Sequence, residues 1–193
     1  MPQAFTAQQM DTIRQQLFQS ACRHAITQGV KKTSLEQLTA DAGISKSTFY
    51  KFYDCKEQLF LEVGMHIERQ VIAETQRALH ESAGQSSKRR TALAVNAAFD
   101  CLASLNALRF LKDDIPSLRD HFSQSDALEH YKSMSDSIFH TLKQEGVQFA
   151  FPDQVVSSVI HILYLSIQHA GEFDNFAAAL RELVLSACDR LVA

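Results

Sequence analysis

Eight polar or basic side chains between positions 34 and 56 have the chemistry of contacts to DNA. Lysine donates to guanine O6 and N7, serine and threonine pair with several bases, and a threonine methyl can meet the methyl group of thymine. Hydroxyl and ammonium groups also donate to phosphate oxygens, and such contacts fix how a protein sits on the duplex. The set comprises Ser34, Ser45, Lys46, Ser47, Thr48, Tyr50, Lys51 and Lys56.

Two short helices with a turn between them would present this set along one edge. The segment Thr33–Glu36 offers an N-cap residue with a glutamate three positions on, which predicts a helix running to Ala42. Gly43 then breaks the chain, Ser45 is a new N-cap, and a third short helix is predicted over Lys46–Phe52. Two capped helices around a glycine-containing turn indicate a helix-turn-helix, whose second helix enters the major groove.

A longer helix is predicted in front of this pair. Thr6 and Gln9 are a candidate capping box, apolar residues recur at helical spacing over 7–28, and Gly29 ends the pattern. The three helices together predict a small N-terminal domain.

The distribution of charge favours DNA over the alternative of a helical hairpin buried in an ordinary bundle. The whole chain carries −3 at pH 7, but residues 1–56 carry +3 and the remainder −6. A buried hairpin would also not leave Lys46, Ser47 and Lys51 exposed together. A basic N-terminal segment followed by an acidic remainder is typical of a nucleic-acid-binding protein whose second domain has another function.

Three stretches of this region resemble the DNA-binding head of TetR-family regulators. They read TSLEQL from Thr33, AGISKSTFY from Ala42 and FYDCKEQLF from Phe52, within a likeness that covers about residues 8–62. The resemblance implies an all-helical homodimer with a small-molecule pocket in its C-terminal domain, most such proteins being repressors that a ligand releases from the operator. It also implies base contacts at Ser47 and Thr48, with phosphate contacts at Ser34, Tyr50 and Lys56.

Two positions depart from the family pattern. Phe52 stands where histidine is common, which removes a polar group from the DNA-facing end of the third helix. Cys55 stands where serine or asparagine commonly caps the fourth helix, so Asp54, with Glu57 three positions on, is the alternative cap. A thiol at a helix N-terminus could have a lowered pKa and act as a redox switch, whereas a lone cysteine is more often inert.

The predicted fold is all-α. An N-terminal helix-turn-helix domain, residues 1–55, is joined by a long helix running to about His80 to a C-terminal helical bundle, within a ligand-binding and dimerisation domain of residues 56–193. The segment Ser82–Ser87 is the linker candidate. The sequence has no glycine-rich phosphate loop and no nucleophile elbow, and its histidines lack metal-ligand spacing, so we expect no enzyme, no catalytic residue, no cofactor and no metal.

The C-terminal half holds enough large apolar residues to line a pocket between helices, although residues at helical spacing are more often plain core. His161 and Tyr164 add a polar stripe to an otherwise apolar helix, which must face a cavity or a partner subunit. We therefore expect an unidentified small-molecule effector, largely apolar. The candidate ligand-binding residues are Phe99, Phe110, Tyr131, Met134, His161 and Tyr164.

These observations predict a ligand-responsive repressor that binds a pseudo-palindromic double-stranded DNA operator as a homodimer. The last helix has an apolar face wide enough to pack on its own copy. A protein-interaction or DNA-scaffolding adaptor with no small-molecule effector is the alternative. No apolar run is long enough for a membrane span and no signal peptide is evident, so we expect a cytoplasmic protein without membrane contact.

Overall fold

The computed structural model describes residues 5–122 and 134–193. Over these residues the chain is helical and contains no strand, apart from one isolated bridge between Phe149 and Val192, so the all-α prediction is confirmed. A π-helix, Phe110–Asp114, leads into α6, and a 3-10 turn, Ile167–Glu172, follows α8. The α-helices are α1 (Ala7–Thr27), α2 (Leu35–Asp41), α3 (Lys46–Phe49), α4 (Lys56–Glu81), α5 (Ser87–Ser104), α6 (Ile115–His121), α7 (Met134–Gln144), α8 (Asp153–Ser166) and α9 (Phe176–Leu191).

The capping box of α1 is confirmed. The Gln9 N–H donates to Thr6 Oγ1 at 3.2 Å, and the Thr6 N–H donates to Gln9 Oε1 at 2.8 Å. These bonds satisfy amide donors that the first helical turn leaves without partners. The helix ends before Gly29, whose φ of +82° is a conformation that side chains with a Cβ rarely adopt.

The predicted start of α2 is wrong by one residue. Ser34, not Thr33, is the N-cap, and Gln37, not Glu36, completes the capping box: the Ser34 N–H donates to Gln37 Oε1 at 2.8 Å. The Thr33 hydroxyl is taken by another bond, since it is buried and donates to the Gly29 carbonyl at 2.7 Å.

The predicted end of α3 is three residues too late. The α-helix stops at Phe49, and residues 50–52 form a turn. The Lys51 N–H donates to the Thr48 carbonyl at 3.0 Å and the Phe52 N–H to the Phe49 carbonyl at 2.9 Å, so the chain tightens to bonds spanning three residues.

The described chain divides into two compact units. The first holds residues 5–66 and 109–122, and α4 contributes to both units. Its core includes Phe49, Phe60 and Phe110, all fully buried, with the rings of Phe60 and Phe110 6.4 Å apart. The domain limits predicted from the sequence stay a prediction.

The second unit holds residues 67–108 and 134–193, in which α5 packs on α9 and α7 on α8. Arg181 reaches Asp100 across the first of these pairs, at 3.1 Å. The predicted linker is a short turn between α4 and α5, where the Ser82 hydroxyl donates to the Ala78 carbonyl at 2.6 Å. Within the part of the chain that the structure describes, no helix combines the length and apolar character needed to cross a membrane.

Candidate nucleic-acid interface

Three hydroxyl groups lie together at the first turn of α3. Ser45 is the N-cap, and its Oγ accepts from the Thr48 N–H at 3.2 Å. The same oxygen hydrogen-bonds with Ser47 Oγ at 2.8 Å and with Thr48 Oγ1 at 2.9 Å. The predicted base-reading hydroxyls are therefore adjacent at the end of the helix that a helix-turn-helix directs at base edges.

Lys46 pairs with an acidic residue that the sequence analysis did not place in the site. Its ammonium donates to the Glu36 carboxylate of α2, and both side chains are more than half exposed. The hydrogen bond from Lys46 lowers the pKa of Glu36 to about 2, so the carboxylate stays charged. The pair joins α2 to α3 and leaves a negative charge beside the hydroxyl cluster.

Tyr50 follows α3 and is 58% exposed. Its ring meets the buried Phe49 edge-on at 5.7 Å, and its hydroxyl has no partner among the residues described. The next residue, Lys51, places its ammonium 5.3 Å from the ring centre of Phe5, a cation–π contact with the start of the chain.

Lys56 begins α4 and is half-buried. Its ammonium donates to the Val30 carbonyl at 2.9 Å and to the Thr33 carbonyl at 2.6 Å. Two of its three N–H donors therefore hold the loop that precedes Ser34, and the third is the one available to a phosphate. No local pattern of residues signals these bonds, because the partners lie more than twenty residues away in the chain.

Asp41 fixes α2 against α1. Its carboxylate accepts from the Ser20 hydroxyl at 2.6 Å and from Arg23 at 3.2 Å, and His24 Nε2 lies 3.1 Å away. The bond from Ser20, with those from His24 and Arg23, lowers the pKa of Asp41 despite partial desolvation. Sequence reasoning missed this cluster.

Cys55 directly precedes α4 in the structure. Burial raises the pKa of its thiol, although N–H groups of Gln58 and Glu57 act in the opposite direction. This direction is the reverse of what a redox-reactive thiolate requires. The Asp54 N–H donates to Gln58 Oε1 at 2.9 Å.

The predicted ligand-binding residues are divided between the two units. Phe110 belongs to the first unit's core, whereas Phe99 and Met134 are buried in the second. His161 Nδ1 lies 2.7 Å from Ser135 Oγ, and the ring centres of His161 and Tyr164 are 6.2 Å apart. Burial raises the pKa of Tyr164. Tyr131 lies outside the described residues.

Clefts of the second unit that are large enough for a small molecule include two of more than about 500 Å³. One, of about 610 Å³, is lined by residues that include Phe173, Phe176 and Leu183. The other, of about 520 Å³, is lined by residues that include Arg77 and Arg181. None of the predicted ligand-binding residues that the structure describes lines either cleft, and their assignment stays a prediction.

Residues 17–63 match the family model of bacterial regulatory proteins, tetR family. This span runs from the second half of α1 through α2 and α3 into α4, and so contains the helix-turn-helix and all eight predicted DNA contacts. No curated protein sequence matches the chain significantly.

Solved structures share the fold over nearly the full length of the chain. A TetR family transcription regulator from Marinobacter aquaeolei VT8 is 18% identical, with 97% of this chain and 99% of that chain covered and a TM-score of 0.60. The fatty acid degradation regulator FadR from Bacillus halodurans is 15% identical, with 95% and 97% covered and a TM-score of 0.63. The transcriptional regulator FadR from Bacillus subtilis, in complex with stearoyl-CoA, is 17% identical, with 90% and 98% covered and a TM-score of 0.63.

At these identities the structural likeness establishes the fold, and the family match rests on the N-terminal span. The matched span is also where the polar and basic edge of α3 lies. Residues 17–63 are thus similar to the tetR family of bacterial regulatory proteins, and the chain shares its fold with solved TetR-family transcription regulators.

Proposed function

We propose that the protein is a ligand-responsive repressor that binds a pseudo-palindromic operator as a homodimer. The observation that carries the dimer is a set of exposed apolar side chains, called here the apolar surface, which begins just before α8 and continues through α8 to α9. Six of the ten large hydrophobic side chains that are exposed in the described part of the chain lie between positions 151 and 183. They are Phe151, Val155, Ile162, Leu165, Phe173 and Leu183.

Helix α9 uses its two faces differently. Leu180, Val184 and Leu191 are buried inside the second unit, whereas Leu183 is 57% exposed. Ile162 of α8 is 65% exposed. An apolar surface of this kind on a regulator is typical of a subunit interface, and a second copy would cover it through the same residues on both chains.

A dimer of this kind would bring two α3 helices to successive major grooves. Half-sites about 34–36 Å apart, or somewhat more, suit two recognition helices related by a two-fold axis. The eight residues between Ser34 and Lys56 would then be used twice, with Ser47 and Thr48 at base edges and Ser34, Tyr50 and Lys56 at phosphates.

The dimer is tested by placing charge in the apolar surface. The double variant Ile162→Glu, Leu183→Glu should change the molar mass measured by light scattering from that of a dimer to that of a monomer. Ile26→Glu is the matched control, since Ile26 of α1 is an exposed isoleucine outside this surface. A monomeric wild-type protein, or a double variant that stays dimeric, would exclude this interface.

The proposed effector is a largely apolar molecule with a polar group. Buried Phe99 and Met134 supply apolar surroundings in the second unit, and the Ser135–His161 pair supplies polar ones. The stearoyl-CoA complex of the Bacillus subtilis relative supports an acyl-chain compound as the first probe. In the proposed dimer, an effector would release DNA if it bound more tightly to the conformation in which the two helix-turn-helix domains do not fit the operator, because it would increase the population of that conformation.

Stearoyl-CoA should lower operator affinity by about fivefold or more, whereas coenzyme A without an acyl chain should not. Fluorescence anisotropy of a labelled operator measures the operator affinity in the presence of each compound. If stearoyl-CoA leaves the affinity unchanged, this effector class is wrong, and the adaptor without a small-molecule effector gains support.

A further inference from the structure

Three metal-ligating side chains converge in the first unit. The Sγ atom of Cys55, a carboxylate oxygen of Glu57 and an imidazole nitrogen of His121 all lie within 4.8 Å of one another. Cys55 directly precedes α4, Glu57 lies in its first turn, and His121 is the last residue of α6. We propose that these three residues form a binding site for a divalent transition-metal ion of the zinc class.

The fold holds the two contributing segments in place. The fully buried rings of Phe60 in α4 and Phe110 in the π-helix are neighbours in the core. The Val30 N–H donates to Asp114 Oδ1 at 3.1 Å, which ties the segment leading into α6 to the N-terminal helices. The proximity of His121 to the start of α4 therefore comes from packed elements of one unit.

The distances suit a small ion. Zinc lies about 2.3 Å from sulfur and about 2.0–2.2 Å from nitrogen or oxygen, which places tetrahedral ligand atoms about 3.3–3.8 Å apart. Side-chain rotations that close the three atoms by about 1 Å reach this geometry from separations below 4.8 Å. Three protein ligands leave a fourth position for water.

The donor types select the class of ion. A thiolate and an imidazole favour zinc, cobalt or copper, whereas magnesium and calcium take oxygen ligands. Cys55 and Glu57 are half-buried and His121 is exposed, so an ion has a path from solvent. As the metal–sulfur bond forms, the Cys55 thiol releases its proton to solvent.

Charge also favours occupation of the site. The Cys55 sulfur and a Glu57 carboxylate oxygen lie within 4.8 Å of each other, so the two groups would repel each other as anions. A divalent cation balances both negative charges. Their attraction for the cation outweighs its repulsion by the positive end of the α4 dipole. An ion there would fix the backbone on both sides of Lys56.

The sequence does not suggest this site because its members have no ligand spacing. Cys55 and Glu57 are two residues apart, which would place them on different sides of a regular helix. Cys55 lies before the first helical turn instead, and His121 is brought in by the tertiary fold. The proposal does not depend on the proposed effector or on the dimer.

Cobalt titration of the full-length protein, freed of metal with a chelator, tests the site. Co²⁺ should bind at one equivalent per chain and produce a thiolate-to-cobalt charge-transfer band, which Zn²⁺ should then displace. Cys55→Ser should abolish the band, and His121→Ala should weaken binding about tenfold or more.

The matched controls are Cys101→Ser and His140→Ala. Cys101 is a half-buried cysteine of the second unit, and His140 is an exposed histidine beside a phenylalanine, as His121 is. Both controls should bind Co²⁺ like the wild type. Circular dichroism checks that each variant is folded. If Cys55→Ser does not fold, weaker Co²⁺ binding by Glu57→Gln supports the same conclusion. Absence of the charge-transfer band in the wild type, or its persistence in folded Cys55→Ser, would overturn the proposal.

Discussion

The hydroxyl of Ser45 hydrogen-bonds to the hydroxyls of Ser47 and Thr48 at the start of α3. A hydrogen bond to a base edge would replace one of these internal bonds, because the hydroxyls are already paired. The binding free energy gained per contact is therefore modest. Most of the affinity then comes from contacts to phosphates, whose strength depends on salt. Tyr50 and Lys56 are the side chains expected to supply them.

Tyr50→Phe should weaken operator binding without lowering the stability of the fold. Its hydroxyl has no partner among the described residues, and a phenylalanine ring keeps the edge contact with Phe49. We expect a loss of about tenfold or more in affinity, the value of one hydrogen bond to a charged group, similar on every operator sequence. Anisotropy titration measures the affinity, and thermal unfolding measures the stability.

Tyr53→Phe is the matched control. Tyr53 is buried and its hydroxyl donates to the Glu62 carboxylate at 2.8 Å, so this change should lower the melting temperature and leave DNA affinity unchanged. The reverse result, with Tyr50 mattering for stability and Tyr53 for DNA, would contradict the orientation described for α3.

Glu36→Gln should raise DNA affinity. The change frees the Lys46 ammonium and removes a charge that repels phosphates, so affinity should rise about twofold to fivefold at low salt and less at high salt. Glu81→Gln is the control. Like Glu36, Glu81 forms an exposed ion pair, in its case with Arg77, but it lies at the end of α4 and outside the predicted DNA contacts. A lower affinity for Glu36→Gln would mean that the ion pair orients Lys46 for its base contact.

Types of residue on α3 were predictable from the sequence, but their partners were not. A lysine after an N-cap serine identifies a candidate base contact by local spacing alone. The bond from Lys46 to Glu36 and those from Lys56 to Val30 and Thr33 require the packed arrangement of helices. Long-range pairs of this kind leave no local pattern.

Helix boundaries depended on which of two adjacent hydroxyl residues caps α2. Thr33 and Ser34 are equally good caps by type, and both have a suitable residue three positions on. The structure assigns the cap to Ser34 because the Thr33 hydroxyl is already bonded to the Gly29 carbonyl. That bond closes the turn after α1, so a tertiary feature decided a local choice.

The pairing of α1 with α2 depends on Asp41, and Asp41→Asn should lower the stability of the first unit. Three side chains of α1, those of Ser20, Arg23 and His24, surround a partly exposed carboxylate, so we expect a loss of about 1 kcal/mol in the free energy of unfolding at pH 7. Urea denaturation followed by circular dichroism measures it.

The same variant should show a defined pH dependence. Because the folded pKa of Asp41 is lowered, its stabilisation is present above the unfolded value of about 3.9 and is lost as the pH falls through the folded value. The wild type and Asp41→Asn should therefore converge in stability below about pH 4. A difference that stayed constant into acid would show that the carboxylate charge is not the cause.

The all-α architecture and the long α4 followed from hydrophobic periodicity, which is a local property of the chain. The membership of residues 109–122 in the first unit did not follow from this periodicity. Phe110 and Asp114 belong to the same unit as the N-terminal helices, through contacts with Phe60 and Val30 that are distant in sequence. The cluster of Cys55, Glu57 and His121 exists for the same reason.

Selection of duplex DNA from a random pool by the full-length protein tests most directly the claim that the molecule reads DNA through α3. The account predicts enrichment of a pseudo-palindrome with two half-sites about one helical turn apart or somewhat more, and loss of that preference in the double variant Ser47→Ala, Thr48→Ala. A wild-type protein that enriches no sequence above the starting pool, or a double variant that selects the same sequence as the wild type, would contradict it.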